Sequence, residues 1–191
     1  MKKLYGIFIL SLILCKVVSA ELISLNNIKI GDKVSKHFTH KQISEYYLYS
    51  AEKNSKGEQL VGKNLKYSAI AFRSQEIIKE AYHTVQIYFE NKTDKIVSIA
   101  AIDLTSNLSD CIKKRNKYAA TFETNTTDSL LIKDEGRHKF PDGMIDDNIS
   151  YSGHHEIFLF NCYHYQNGET YYRFQKYETE FNDWMFKKFN E

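Results

Sequence analysis

From residue 84 to residue 90, Val85, Ile87 and Phe89 alternate with Gln86, Tyr88 and Glu90. Successive strand side chains point to opposite faces, so this alternation predicts a half-buried β-strand. Asn91-Lys92-Thr93-Asp94 is turn chemistry, and the apolar run from Lys95 to Ile102 predicts a returning strand, making an antiparallel hairpin. Tyr67 to Phe72 predicts a strand before it. A second hairpin is expected from Glu156 to His164 and Thr170 to Tyr177, closed by Gln166-Asn167-Gly168-Glu169. Asn-Gly suits a two-residue turn in which both central residues take positive φ.

The period changes elsewhere. Thr39-His40-Lys41-Gln42 is a capping box, in which the Thr hydroxyl and the Gln side chain satisfy free amide donors, and it opens a short helix through Glu45 to Tyr47. Before it, Asn26 to Ile30 is a short apolar entry turned by Gly31-Asp32. Ser109 is the expected cap of a helix running to about Phe122, with Cys111, Ile112, Tyr118, Ala119 and Phe122 on one face. Residues 53–64 read as a polar loop, residues 124–154 show no dependable period, and Glu180 to Phe189 reads as a last short helix, with continuation of the strand to Phe181 as the alternative. Strands and helices do not alternate regularly enough for a doubly wound sheet. The expected fold is α+β: antiparallel hairpins in a twisted sheet, with the 109–122 helix packed on one face.

The chain opens with Lys2 and Lys3, an apolar run from Leu4 to Leu14, and the small residues of Val18-Ser19-Ala20. That order is a secretory signal, with cleavage expected after Ala20. A membrane anchor needs roughly 20 apolar residues, and Lys16 interrupts the run too early. Cys15 follows Leu14 rather than a small residue, which argues against a lipid anchor there. The organisation expected is a signal over 1–20 and a single soluble domain over 21–191, periplasmic or secreted. No later stretch is long enough to span a membrane.

Removing the signal takes away Lys2, Lys3 and Lys16, so 23 basic residues face 24 acidic ones and the formal charge moves from +2 to −1. Without a basic surplus there is no electrostatic case for nucleic acid. The cluster Lys113-Lys114-Arg115 reads as the solvated face of its helix. The 14 tyrosines and 12 phenylalanines come with abundant Lys, Asn and Ile, all A/T-rich codons, so genome bias accounts for them without selection for binding. Once Cys15 leaves with the signal, Cys111 and Cys162 remain, and an even count in an oxidising compartment suggests one structural disulfide; two buried free thiols are the alternative.

One resemblance covers most of the mature chain. Ile28-Lys29-Ile30-Gly31-Asp32, the Tyr82–Ile99 hairpin, Cys111-Ile112-Lys113-Lys114-Arg115 and Glu180-Phe181-Asn182-Asp183-Trp184 resemble a group of small exported proteins of marine alphaproteobacteria. These share an early IGD, a mid-chain Cys in a Lys-rich helix and a closing E-F/Y-x-x-W. The resemblance implies an exported single domain and brings no activity with it.

Candidate chemistry concentrates in one stretch. His138, Asp142, Asp146, Asp147, His154 and His155 lie within 18 residues, which raises a metal site. However, adjacent His154 and His155 point to opposite sides if extended, and Asp142-Gly143-Met144-Ile145-Asp146-Asp147 misses the spaced ligand pattern of a calcium loop. An acidic surface loop is the plainer reading. There is no G-x-S-x-G elbow, no phosphate-binding glycine loop and no cofactor motif; Ser152-Gly153-His154 is only a local triplet. N-x-S/T sequons at Asn91, Asn107, Asn125 and Asn148 fit chance in a chain this rich in Asn, Ser and Thr. The function expected is non-enzymatic binding of a protein partner or small ligand in the cell envelope. The alternatives are a small hydrolase built on His138, Asp142, Asp146 and His154, and a secreted inhibitor or immunity-type protein. Intact mass of protein purified from its native host is expected to start at Glu21; a species retaining Met1 to Ala20 would refute signal cleavage.

Overall fold

The computed structural model describes residues 28–50, 66–73, 82–126 and 131–190. After a 3-10 turn (Val34–Lys36) come α1 (His40–Tyr46), β1 (Tyr47–Ser50), β2 (Tyr67–Arg73), β3 (Thr84–Glu90) and β4 (Ile96–Thr105). Then follow α2 (Leu108–Asn125), β5 (Ile132–Lys139), β6 (Ile145–Ser152), β7 (Glu156–His164), β8 (Thr170–Glu178) and α3 (Thr179–Asn190). The strands form one eight-stranded antiparallel sheet in the order β1-β2-β3-β4-β8-β7-β6-β5. Two four-stranded meanders thus meet where β4 pairs with β8, from Ser98 opposite Tyr177 to Thr105 opposite Thr170. The α+β class and the helix packed on the sheet are as expected.

Period two decides what each face carries. One face of the sheet presents Ile70 and Phe72 of β2, Val85, Ile87 and Phe89 of β3 and Ile99 of β4, which pack with Val34, Phe38, Ile43 and Tyr46 from the 3-10 turn and α1. The same face continues across Tyr172 and Phe174 of β8, Phe160 and Cys162 of β7 and Ile149 and Tyr151 of β6, under Cys111, Ala119 and Phe122 of α2. Phe122 alone meets Tyr151, Phe158 and Phe160 with ring centroids 4.7–5.7 Å apart. Many of the chain's tyrosines and phenylalanines are thus core residues. The opposite face is covered at one end by Phe181, Trp184 and Met185 of α3, against Tyr67, Tyr88, Ile157 and Tyr177.

The N-terminal segment is tied to the first meander by main-chain bonds, Gly31 N–H donating to Ile96 O and Val34 N–H to Asp94 O, each at 2.8 Å. Asp32 accepts from Lys36 and His37, and those bonds, His37 first, hold its carboxyl down at about 2. The capping box of α1 is present as expected: Gln42 N–H donates to the Thr39 hydroxyl and Thr39 N–H to the Gln42 side chain.

Four expectations are corrected. Asn107, not Ser109, caps α2, its Oδ1 accepting from Asp110 N–H at 3.0 Å, so the helix starts two residues earlier and runs on to Asn125. Within the supposedly aperiodic 124–154 stretch lie β5 and β6, paired from Ile132–Ser152 to Lys139–Ile145. The Gln166-Asn167 turn is not the expected type: Gly168 alone takes positive φ, at 87°, and Gly168 N–H donates to Tyr165 O. This is a type I turn followed by a left-handed glycine, the three-residue hairpin solution. Phe140-Pro141-Asp142-Gly143-Met144 repeats it, with Gly143 at φ 78° and the Phe140 carbonyl accepting from Gly143 N–H. Finally, Arg115 does not lie on a solvated face but is 7 % exposed, and Lys114 pairs with Asp103.

Arg115 belongs to a clamp. On α2 it lies one turn after Cys111, and on the sheet Asp147 of β6 lies directly opposite Cys162 of β7. Cys111 is bonded to Cys162 across a Cα separation of 5.8 Å, and the Asp147 carboxylate accepts from both Arg115 and Arg137. Covalent bond and buried ion pair therefore fix the same helix turn to the same two strands. Removing one partner of a buried pair costs several kcal/mol because the other charge is stranded, whereas the disulfide acts mainly on the unfolded chain by closing a loop. The paired Cys111→Ser/Cys162→Ser variant is expected to lose about 2–4 kcal/mol of unfolding free energy. An unchanged denaturation midpoint would show that the ion pair and aromatic packing hold α2 without the disulfide.

Candidate functional site

Past α3, the second face of the sheet carries a different kind of residue. Reading straight across the ladder, Leu104 of β4 stands opposite Tyr171 of β8, Tyr171 opposite Tyr163 of β7, Tyr163 opposite Asp146 of β6, and Asp146 opposite His138 of β5. One row on, Ile102, Arg173, Asn161, Asn148 and Gly136 follow one another in the same way. The next row runs through Ala100, Gln175, Leu159 and Ser150 to Asp134. Among the described elements, α3 alone packs on this face, and it covers the row beyond these, through Tyr177 and Ile157. No described element packs over three rows across five strands, apolar and aromatic at the β4–β8 side and polar toward β5, although Ala100, Asn161 and Gln175 within them are buried.

The polar part is tightly held. Asn161, only 1 % exposed, donates from Nδ2 to Asp146 Oδ1 at 2.8 Å, while its own Oδ1 has no hydrogen-bond partner. Burial raises the Asp146 carboxyl above its ordinary range, although hydrogen bonds from Asn161 and Asn148 and the charge of His138 work the other way. Burial likewise pushes the Tyr163 phenol up to about 12, against the opposing charge of Arg173. Gln175 donates to Ser98 Oγ at 2.8 Å beneath the α3 end. At the far corner Leu104 is 53 % exposed, and the Tyr165 ring meets that of Tyr171 edge-on at 5.8 Å.

The structure divides the six-residue cluster that the sequence grouped. His138 and Asp146 are cross-strand neighbours on the second face of the sheet. Asp142 belongs to the β5–β6 turn, where its Oδ1 accepts from Met144 N–H. Asp147 faces the core and answers two arginines. His154 and His155 are exposed in the connection from β6 to β7, at the opposite end of those strands, with rings 5.1 Å apart. Among the described residues no three His, Cys, Asp or Glu side chains are grouped to hold a metal ion. Leu104, Tyr163, Tyr171, Asn161 and Arg173 were missed. The readable signal was a polar Asn161 inside the apolar run of β7, at a position whose strand neighbours of the same parity, Leu159 and Ile157, are apolar.

A cleft of about 380 Å³ lies elsewhere, lined by Ile30, Lys95, His155, Glu156, Glu178, Thr179 and Glu180. Its carboxylates are matched by cations: Glu178 with Lys95 at 2.7 Å, Glu156 with Lys176 at 2.8 Å and Glu180 with Lys66 at 3.4 Å. Among the described residues, no helix is long and apolar enough to cross a membrane. Compared with known proteins, the chain matches no family model, no curated protein and no solved structure.

Asp146 yields a measurable consequence. Its native pKa lies above the ordinary 3.8, so the native state holds this proton more tightly than the unfolded chain does. Ionisation at neutral pH therefore lowers stability, and the loss shrinks as pH falls through the native pKa and is gone below the unfolded one. Asp146→Asn, which keeps an oxygen for the Asn161 amide, is expected to melt above wild type at neutral pH, with the gap closing in acid. A lower melting temperature at neutral pH would contradict this.

Proposed function

We propose that this chain is an exported, non-enzymatic binding domain that takes a protein partner on the open face of its sheet. The observation that carries the reading is the row Leu104, Tyr171, Tyr163, Asp146 and His138, which crosses five strands with no described element packed over it. A small ligand needs a concave site that encloses most of its surface, and the one cleft described above is lined by paired charges. A broad surface with aromatic anchors beside fixed polar groups suits a protein, because tyrosines contribute large contact area at low entropic cost. Asp146 also fits: a carboxylate kept buried at a cost to stability is what a recognition group looks like when it is retained for a partner. Export rests on the charged, apolar, small-residue order of the first twenty residues, and the Cys111–Cys162 bond is compatible with an oxidising compartment.

The secreted-inhibitor alternative would use the same surface and differs only in whether the partner's activity falls on binding. The hydrolase alternative loses support because His154 and Asp142 are carried away from the His138–Asp146 pair. The test is affinity capture from the native envelope fraction with wild-type protein, Tyr171→Ala and Leu104→Glu, beside the helix-face variant Lys113→Glu. Tyr171→Ala is expected to weaken capture at least tenfold, about 1.4 kcal/mol or more, as truncating an aromatic anchor does. Lys113→Glu is expected to leave capture intact. Equal capture by all four proteins would remove the open face from consideration.

A further inference from the structure

Strand β5 closes the sheet on one side, paired with β6 alone among the described strands. Every residue from Ile132 to Lys139 except Gly136 is exposed. An exposed edge of this length presents a row of main-chain donors and acceptors to any passing strand. The opposite edge, β1, has four residues. Charged residues on an edge ordinarily keep it unpaired, so the order of the charges decides what this one does.

A second copy can add to β5 symmetrically in one way only. Two like strands related by a two-fold axis perpendicular to the sheet run antiparallel, and residues that face each other across the axis lie on the same side of the joined sheet. The axis must then pass through a residue pair, and near the middle of β5 the choices are Glu135, Gly136 or Arg137. Centring on Glu135 places that carboxylate against its own copy and Lys133 against Arg137. Centring on Arg137 brings Glu135 opposite Lys139 but places two guanidiniums together and Asp134 against Phe140. Centring on Gly136 places Glu135 opposite Arg137, Asp134 opposite His138, and Ile132 opposite Phe140. Ile132 and Phe140 are two of the exposed large apolar side chains, at 72 % and 41 %. The one like-charge pairing, Lys133 opposite Lys139, falls on a lysine already held at 2.8 Å by both Glu123 and Glu135.

We propose that β5 is a homodimer interface, two copies joining antiparallel about Gly136 into one continuous sheet. This register alone joins Glu135 to Arg137 and Ile132 to Phe140, whereas centring on Glu135 is repulsive and centring on Arg137 sets guanidinium on guanidinium and Asp134 on Phe140. That distinguishes β5 from an edge that charge merely protects. Glycine at the centre leaves both faces of the axis free of side chains, and a Cβ there would stand 3.1 Å from His138 Nε2. The proposal does not depend on the partner-binding reading, since β5 contributes through its edge and the partner through the face.

Sedimentation of the mature protein over a concentration series, with matched measurements on Glu135→Arg, tests it directly. Wild type is expected to shift from one to two chain masses as concentration rises, and Glu135→Arg, which meets Arg137 of the second copy, to remain at one. A single chain mass for wild type throughout, or an unaltered dimer in a folded Glu135→Arg, would overturn the proposal. Register is read separately by single cysteines, since Cys111 and Cys162 are bonded to each other. Facing positions of an antiparallel pair lie about 4.5–5.5 Å apart at Cα, within disulfide reach, so Gly136→Cys is expected to cross-link to itself on mild oxidation. Asp134→Cys is expected not to, its counterpart being four residues along, about 13 Å away. Equal cross-linking of the two variants would refute the register and the interface with it, whether or not Glu135→Arg folds.

Discussion

The pairing of β4 with β8 is the contact on which everything else in this molecule depends. It joins strands 65 to 79 residues apart in sequence, from Thr105 with Thr170 to Ser98 with Tyr177, and turns two local meanders into one sheet. Neither meander could bury both its faces alone. The first has the 3-10 turn and α1 for one side, and the second has α2, while α3 reaches back from the end of β8 to cover Tyr67 and Tyr88 of the first. The loop-closure cost of so distant a pairing must be met before it is rewarded. The hairpins, which close over a few residues each, are the natural earlier structure.

Helix α2 bridges the two meanders, and its attachment combines three interactions of different character. Phe122 and Ala119 bury apolar surface, Arg115 delivers a charge to Asp147, and Cys111 makes a covalent bond. All four side chains follow at intervals of three or four residues, so a single helical stripe makes the whole attachment. Arg115 can occupy that stripe because Asp147 waits opposite and Asn116 accepts from its Nε and Nη2, which is the condition for tolerating a buried cation. The disulfide is thus an addition to an interface already specified by packing and charge.

The helix face explains why the molecule folds, and the open face shows what folding did not require. A core-facing strand position is normally apolar, and Asn161, Asp146 and Gln175 all lie on the face opposite α1 and α2, beyond the row of Tyr177 and Ile157 that α3 covers. Asn161 and Gln175 are nonetheless buried there, with Asp146 and Ser98 as their hydrogen-bond partners. Groups placed this way stabilise little and can even destabilise, as the raised carboxyl of Asp146 indicates, and they keep a fixed geometry that a partner can read.

Local chemistry was legible in the residues themselves. The alternation of 84–90, the capping box at Thr39, the apolar run of β7 and the stripe from Cys111 to Phe122 each announce an element, because backbone periodicity and side-chain pattern must agree wherever one side is buried. β5 announced nothing: both its faces are wet, so no alternation was imposed on Ile132–Lys139. β6 hid for the opposite reason, since one of its inward positions is Asp147, which interrupts the apolar series Ile145, Ile149 and Tyr151. Even there Pro141-Asp142-Gly143 was a turn signal waiting to be used, and Asn107 a better cap than Ser109. What no local pattern could supply was which strands become neighbours. Sequence proximity grouped His138, Asp142, Asp146, Asp147, His154 and His155, but a strand separates neighbours by face and a hairpin separates them by its length. The order β4-β8-β7-β6-β5 therefore scattered that group and assembled Leu104, Tyr171, Tyr163, Asn161 and Arg173 in its place. Secondary structure followed from short-range preference in the chain, and the site came only from pairings across the whole of it.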